Sequence, residues 1–325
     1  MLLIYNKSTE PYFNLALEEY ALTQMTDDIL LLWRNDKAVV VGKNQIAARE
    51  VDKEYLDRNN VKLVRRLSGG GAVYHDLGNI NYTMIHNKTD GDFGDYKRFT
   101  KPVCYFLSTL GVNAVYEGRN DILLNGMKIS GNAQASKNKR FMHHGTLLFN
   151  VDFDALSAAL RPPDAKFDSK AIQSVRSRVT NICEYTADHM TSEEFLIALY
   201  DFFAKHMDSV SRYELSTADI AAVDMLARDK YSTWAWNYGT TPKYGFFRTK
   251  RFNCGIVELS LDVKDGSINN AVISGDFFGV RDITELEGLL TGLRHDKASI
   301  LSALSDIDIG EFISGLMIDE FVEMM

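Results

Sequence analysis

Arg65-Arg66-Leu67-Ser68-Gly69-Gly70-Gly71-Ala72-Val73-Tyr74-His75-Asp76 sets three successive glycines between two strand-like runs, Val61 to Arg66 and Ala72 to Tyr74. Glycine has no Cβ, so the backbone there can take unusual dihedrals and come close to a ligand. Two arginines precede the glycines, and a serine and a histidine flank them. Main-chain N–H groups beside a guanidinium suit the grip of an anion, phosphate above all. The loop is not a P-loop, because it continues Gly71-Ala72-Val73 where that motif needs Gly-Lys-Ser/Thr. It is not a dinucleotide fingerprint either: Tyr74 stands where the third glycine is required, and a strand rather than a helix follows. A glycine-rich hairpin without a ligand is the plainer reading of the triplet alone. Arg66, Ser68, His75 and Asn79 weigh against it.

The surrounding elements fix the fold class. Ile29 to Trp33 and Ala38 to Val41 are short apolar runs that read as buried strands, and Ile80 to His86 continues them. Asn113 to Tyr116, Ile122 to Leu124, Met127 to Ser130 and Gly145 to Asn150 are also strand-like, with a tight turn at Asn125-Gly126. Strands this close in sequence, with few helices between, predict an α+β fold on a mixed, largely antiparallel sheet with flanking helices. Helices are predicted over Pro11 to Leu22 (capped by Ser8 or Thr9), Pro102 to Leu110, Phe195 to Met207 and Thr217 to Lys230. Thr191 with Glu194 forms a capping-box pattern before the third of these.

Gly239 to Pro242 reads as a linker. Beyond it, Val257 to Val263 alternates as a half-buried strand, Asp265-Gly266 turns, and Ile268 to Ile273 returns. Thr284 to Arg294 and Ile309 to Met325 read as helices. A chain of 325 residues exceeds the usual single core, so the expectation is a catalytic domain over 1–243 and a small accessory domain over 244–325. No cluster that could carry chemistry stands out in the second.

Composition excludes several classes. Apolar residues are 46% and charged residues 25%, ordinary for a globular protein. A net charge of −8 argues against non-specific nucleic-acid binding. No run long enough for a membrane span and no secretion leader is visible, so a cytoplasmic location is expected. Cys104, Cys183 and Cys254 are isolated, with no CxxC pair. Three small buried hydrophobes in a reducing compartment is the expected state.

Two further clusters carry chemistry. In Met127-Lys128-Ile129-Ser130-Gly131, strand alternation puts Lys128 on the face opposite Ile129, so the core can bury the isoleucine and leave the ammonium in a cleft. There it could neutralise a carboxylate and a phosphate together, although a solvated surface is the commoner place for a lysine. Asp121, in Arg119-Asn120-Asp121, could hold Mg²⁺ against phosphate oxygens or serve only as a turn residue. His143 and His144 are adjacent on a strand, so one faces a pocket and the other cannot share a metal with it.

Together these clusters resemble the lipoate–protein ligase A family. The match rests on Arg66-x-Ser68-Gly-Gly-Gly-Ala-Val-Tyr-His75-Asp-x-Gly-Asn79-x-Asn81-Tyr82, on Lys128-x-Ser130-Gly131-x-Ala133 and on His143-His144-Gly-Thr-Leu-Leu. Asn14-Leu-Ala-Leu-Glu-Glu19, Glu117-Gly-Arg-Asn-Asp121 and Ser174-Val-Arg-Ser-Arg-Val-Thr-Asn181 add to it. The resemblance implies the catalytic fold shared with biotin ligases and related to class II synthetases. It implies activation of lipoate or octanoate with ATP and Mg²⁺ to an acyl-AMP. The acyl group would pass to a lysine of a lipoyl-acceptor protein, either an E2 lipoyl domain of a 2-oxoacid dehydrogenase complex or the glycine cleavage H protein. By the same match the protein would act as a monomer, with Lys128 as the catalytic residue between acyl carbonyl and phosphate. Arg66, Gly71, Ala72, Val73, Tyr74 and Asn79 would hold the nucleotide, and Asp121 the Mg²⁺. Ser68, Gly70, His75, His144 and Trp33 would line the lipoyl side. Tyr74 stands where family members commonly carry phenylalanine. An octanoyltransferase of the same fold, using Cys183 as a thioester nucleophile, is the alternative enzyme. A biotin ligase and a catalytically inactive lipoate carrier are the others.

Overall fold

The structure, a computed structural model, describes residues 1–160, 178–187, 189–207, 209–238, 246–264 and 266–325. Its strands, in chain order, begin with β1 (Leu2–Tyr5), β2 (Ile29–Arg34), β3 (Ala38–Val41), β4 (Lys62–Arg65), β5 (Val73–His75) and β6 (Asn79–Asn87). They continue with β7 (Val115–Glu117), β8 (Asp121–Leu124), β9 (Met127–Lys137), β10 (Arg140–Leu148) and β11 (Ser211–Arg212). The last three are β12 (Phe246–Phe252), β13 (Gly255–Lys264) and β14 (Ser267–Gly275). An eight-stranded sheet runs β11-β1-β2-β6-β10-β9-β8-β7, and β4-β3-β5 forms a smaller one beside it. Pairing is antiparallel from β2 through β7 and parallel at β1–β2, β1–β11 and β3–β4.

Both faces of the large sheet are covered. Ile80, Tyr82 and Met84 of β6 pack with Phe99, Phe106 and Phe195 from helices Tyr96–Thr109 and Ser192–His206. The opposite face, with Leu31, Trp33 and Ile85, meets helix α1 (Pro11–Thr23). On β6 the alternating residues Asn81 and Thr83 are buried although polar. Asn81 stands in the wall of a cavity and Thr83 bonds Glu18 and Trp33, so the strand lacks a solvent face.

The glycine-rich stretch is not a hairpin. β3 lies between β4 and β5, parallel to the first and antiparallel to the second. The stretch therefore bridges two strands that do not pair. Helix Tyr96–Thr109 starts six residues earlier than predicted, capped by Asp95, with Pro102 inside it. Burial of Phe99, Val103 and Phe106 along one face outweighs the hydrogen bond that the proline forfeits. The cap of α1 is Glu10, whose carboxylate accepts from the Phe13 N–H, rather than Ser8 or Thr9. The helix predicted over Ile309 to Met325 is two short ones, Ile309–Phe312 and Ile318–Val322, with Gly315 at φ +85° between them.

β12–β14 form an antiparallel sheet with its own apolar core of Val257, Leu259, Phe277, Leu286 and Phe312. The expected boundary at 243/244 and the linker Gly239 to Pro242 lie outside the described residues. This sheet sits against the glycine loop. Gly70 N–H donates to the Phe277 carbonyl at 3.3 Å, Gly275 N–H to Asn44 at 2.9 Å, and Lys43 pairs with Asp282 at 2.9 Å.

One carboxyl at this seam makes its stability sensitive to pH. Burial beside Glu258 and Asp276 pushes Glu50 up from 4.5 to about 7. An acid raised on folding stabilises the folded state while protonated and loses that contribution as pH climbs from about 4.5 through about 7. Glu50→Gln is therefore expected to melt about 2–4 °C above the unmodified chain at pH 8. The difference should vanish below pH 4.5, where both carry a neutral group, and thermal unfolding at the two pH values checks it.

Candidate functional site

A cavity of about 310 Å³ opens between the glycine loop, the β6–β10–β9 wall and the edge of the C-terminal sheet. At one end stand Lys128, Asp121, Asn120 and Arg119. Lys128 Nζ lies 2.8 Å from an Asp121 carboxylate oxygen. The lysine backbone is clamped at both polar groups: its N–H donates to the Arg178 carbonyl at 2.7 Å, and its carbonyl accepts from Thr180 at 3.1 Å. A strand held this firmly aims a flexible side chain. A Cβ built on Gly131 would lie 3.0 Å from the ammonium, so the side chain lies back over a residue that has none.

Gly70, Gly71, Ala72 and Val73 form the adjoining wall. Gly70 needs its missing side chain, since φ is +90° and a Cβ would meet the Phe278 ring at 2.9 Å. Around Gly71 there is open space, which leaves room for a ligand against the backbone. The arginines do a different job from the anion grip that the sequence suggested. Arg66 lines the cavity but is almost buried, and its guanidinium donates to Ser68 Oγ and to the carbonyls of Val40, Gly69 and Gly71 at 2.7–3.1 Å. Arg65 is outside the cavity and donates to the carbonyls of Gly42, Lys43, Gln45, Trp236 and Asn237. Burial lowers each to about 10, so both stay charged at neutral pH. Arg66 holds the glycine loop in shape, and Arg65 ties the turn after β3 to Trp236 and Asn237.

At the other end Leu15, Trp33, Val40 and Val73 supply apolar walls. Polar groups behind them form one chain. Arg66 donates to Ser68, Ser68 Oγ meets His144 Nε2 at 2.7 Å, and His144 Nδ1 meets Glu18 at 2.8 Å. Thr83 donates to Glu18 at 2.6 Å and receives the Trp33 indole N–H at 3.1 Å. His144 lines the cavity, while His143 stacks on Phe99 at 5.0 Å on the opposite face. His75 is buried against Trp33, and burial brings its imidazole down to about 3, with Arg66 and His144 adding to the shift. The ring is neutral.

The cavity brings together Trp33, Arg66, Gly70, Gly71, Ala72, Val73, His75, Asp121, Lys128 and His144. It leaves three expected residues behind its wall. Ser68 is buried beneath His144, and Asn79 donates to Asn81 Oδ1 at 3.0 Å while Asn81 itself faces the cavity. The Tyr74 ring packs into a separate apolar cluster with Val39 and Leu148, because neighbours on a strand face opposite ways. Sequence reasoning missed Asp276 and Phe278, which come from the domain where no functional cluster was expected. Arg119 lies 4.8 Å over the Phe278 ring. No local pattern marks those two residues; only the packing of the domains brings them in.

None of the cysteines lines the cavity. Cys183 is 3.8 Å from Asn150 Oδ1, and burial raises its thiol above the usual range, the reverse of an activated nucleophile. Among the described residues no group of three or more His, Cys, Asp or Glu could hold a metal unaided. A single carboxylate, Asp121, suits Mg²⁺ that takes its other oxygens from phosphates and water. No described helix is long and apolar enough to cross a membrane.

The model of the lipoyl protein ligase A/B catalytic domain matches residues 10–204, and that of the bacterial lipoate protein ligase C-terminus matches residues 241–325. Lipoate–protein ligase 1 of Staphylococcus aureus (strain Mu50) is 43% identical over 323 residues, 98% of each chain. The chain belongs to the lipoate–protein ligase family. P. falciparum LipL1 in complex with lipoate shares the fold at a TM-score of 0.80 and 25% identity, over 99% of this chain and 97% of that one. A lipoate–protein ligase A bound with ATP superposes at a TM-score of 0.63 and 28% identity, over 74% of this chain and 98% of that one. The mixed, largely antiparallel sheet read from the sequence is the sheet of this ligase family.

Proposed function

We propose that the cavity binds lipoate and ATP together and joins them as lipoyl-AMP, and that the lipoyl group then passes to a lysine amine of an acceptor domain. The observation that carries this reading is a single cavity in which the Lys128 ammonium and the backbone of Gly70 to Val73 face the same space. In the first step a lipoate carboxylate oxygen bonds to the α-phosphorus, and the bond to pyrophosphate breaks. Two anions must meet, so a fixed cation beside both lowers the barrier. Lys128 supplies it. In the second step the amine attacks the acyl carbon, the bond to AMP oxygen breaks, and the amine loses a proton.

Backbone groups of Gly71, Ala72, Val73 and Tyr74 hold the nucleotide on a loop that Arg66 keeps in shape. Asn79 acts near the phosphates through Asn81. Asp121 would hold Mg²⁺, which when bound supplies charge shielding of the phosphates. Trp33, Val73, Gly70, His75 and His144 receive the acyl chain, with Ser68 bracing His144. Each methylene buried there contributes about 0.8 kcal/mol.

The acceptors that fit this chemistry are E2 lipoyl domains and the glycine cleavage H protein, met by a monomer acting in the cytoplasm. Residues 1–243 carry the catalysis, and 244–325 act as the accessory domain that closes one side of the site. The test is mass detection of acyl-AMP after mixing the protein, ATP, Mg²⁺ and lipoic acid. Its absence, with biotinyl-AMP formed from biotin instead, would overturn the reading. Alkylation of the three cysteines is expected to leave acyl transfer within about twofold, since burial lowers their reactivity and none faces the cavity. ATP-independent transfer abolished by alkylation would favour the octanoyltransferase.

A further inference from the structure

We propose that Asn132 is a positioning residue for the nucleotide: its buried amide fixes the Asn120 carbonyl and so sets where the next residue, Asp121, stands against Lys128 and the phosphates. The proposal deepens the reading above, in which Asp121 and Lys128 form the nucleotide end of the site.

Strand register brings these residues together. Asp121 of β8 pairs with Gly131 of β9, and the Lys128 ammonium lies back over that same glycine. One step further on, Asn120 and Asn132 bond each other. Asn132 donates to the Asn120 carbonyl from its N–H at 2.9 Å and from its Nδ2 at 3.0 Å. Asn120 Nδ2 donates to the Asn132 carbonyl at 2.6 Å. The bond from Asn132 Nδ2 depends on which way the Asn132 amide is turned.

A backbone group forces that turn. Gly94 N–H can only donate, and it does so to Gln134 Oε1 at 2.7 Å. Gln134 Nε2 therefore faces His143 Nδ1 at 3.2 Å, and an amide nitrogen has only protons to offer, so Nδ1 is bare. Burial holds this imidazole well below its ordinary range, so the ring is neutral and carries its one proton on Nε2. Nε2–H donates to Asn132 Oδ1 at 3.2 Å, and the Tyr82 hydroxyl donates to the same oxygen. With Oδ1 taken on that side, the amide presents Nδ2 to the Asn120 carbonyl and to Ser130 Oγ, the latter at 3.2 Å. Tyr82, Ser130, Asn132, Gln134 and His143 are all buried, which removes water as a competing partner.

Gly145 lets the bonds cross β10. It pairs with Tyr82 of β6 on one side and with Asn132 of β9 on the other. A Cβ there would lie 2.2 Å from Asn132 Oδ1 and 2.6 Å from the Tyr82 hydroxyl oxygen. The bare position after His143 and His144 is therefore what allows Tyr82 to reach Asn132. The network ends at Asn120, and Asn120 and Asp121 both line the cavity.

Two measurements test this. Nitrogen-15 NMR of the intact chain, with the His143 signals identified by their loss in His143→Phe, is expected to show a protonated Nε2 and a bare Nδ1. A proton found on Nδ1 would turn Asn132 Oδ1 toward the Asn120 carbonyl and overturn the proposal. Calorimetry then reads the positioning. Asn132→Ala is expected to raise the Kd for MgATP about three- to tenfold, the scale of one lost hydrogen bond, and to leave the Kd for lipoate within about twofold. In an Asp121→Asn background the same substitution is expected to change the MgATP Kd less than about twofold, because it acts through Asp121. An unchanged MgATP Kd, an equal rise in both backgrounds, or a matching rise for lipoate overturns the proposal, since a merely structural residue gives one of those results. Wild-type protein that binds MgATP yet forms no acyl-AMP would overturn the function reading itself and leave the positioning to these variants.

Discussion

Lys128→Ala is expected to lower ATP–pyrophosphate exchange with lipoate by about 10²–10³-fold, the scale seen when one fixed electrostatic group is removed from a charged transition state. The ammonium shares one cavity with the open backbone at Gly71 and with the apolar residues of the acyl end. Its loss removes the cation proposed to stand between the carboxylate and the phosphate as they meet. The fold should survive. The Lys128–Asp121 pair is partly exposed at both members, and such pairs contribute about 0–1 kcal/mol. The strand is held by backbone bonds to Arg178 and Thr180 that alanine keeps. Exchange rates equal to wild type would remove Lys128 from the mechanism; a large drop in melting temperature would mean the loss is structural.

Gly42→Ala is expected to damage the site from outside it. A Cβ at this position would lie 2.0 Å from the Gly70 carbonyl oxygen and 3.3 Å from Arg66 Nη2. Neither neighbour can yield cheaply. Gly70 is fixed by its bond to Phe277, and the same Arg66 nitrogen holds the carbonyls of Gly69 and Gly71. The loop has to lift, at a cost of about 1–3 kcal/mol in stability. Displacing a nucleotide-holding segment by an ångström costs adenylation on the order of 10²-fold. Gly71→Ala is the contrast: nothing lies within 4 Å of its added methyl, so stability should hold within about 0.5 kcal/mol. Thermal unfolding and pyrophosphate exchange on the two variants decide between a loop set by packing and one that is merely flexible.

Much of the fold was legible because its signals are local. The Thr191–Glu194 capping box is present, and Asn125-Gly126 turns with φ of +51° and +79°, as that dipeptide favours. The apolar runs of β2 and β3 are strands within a residue of the reading. β9 and β10 were read too short. Their extra lengths carry Asn132, Gln134 and His143, polar residues that are buried here because they bond one another, and Arg140, which bonds Thr26 and Asn87. Polar side chains at those positions conceal a buried strand from any reading by hydrophobic alternation.

The candidate site was legible in its members more than in their roles. Arg65 and Arg66 beside glycines read as an anion grip, but most of the carbonyls they serve lie on segments well separated along the chain. Asn79 and Ser68 act at one remove through Asn81 and His144, a distinction of depth that spacing does not encode.

By itself the sequence determined the local chemistry of this protein: a backbone without side chains at Gly69 to Gly71, a lysine between the apolar Met127 and Ile129, and many of the turns and caps that delimit its elements. Dihedral freedom, turn preference and strand alternation depend on near neighbours, so they can be read in place. Only the tertiary structure decided that β3 separates β4 from β5, that Asp276 and Phe278 close the cavity, and that Ser68 and Glu18 hold His144 from either side. Those outcomes depend on which strand edges pair and which faces pack across long separations, where burial and directed hydrogen bonds select among arrangements that local propensity leaves equivalent.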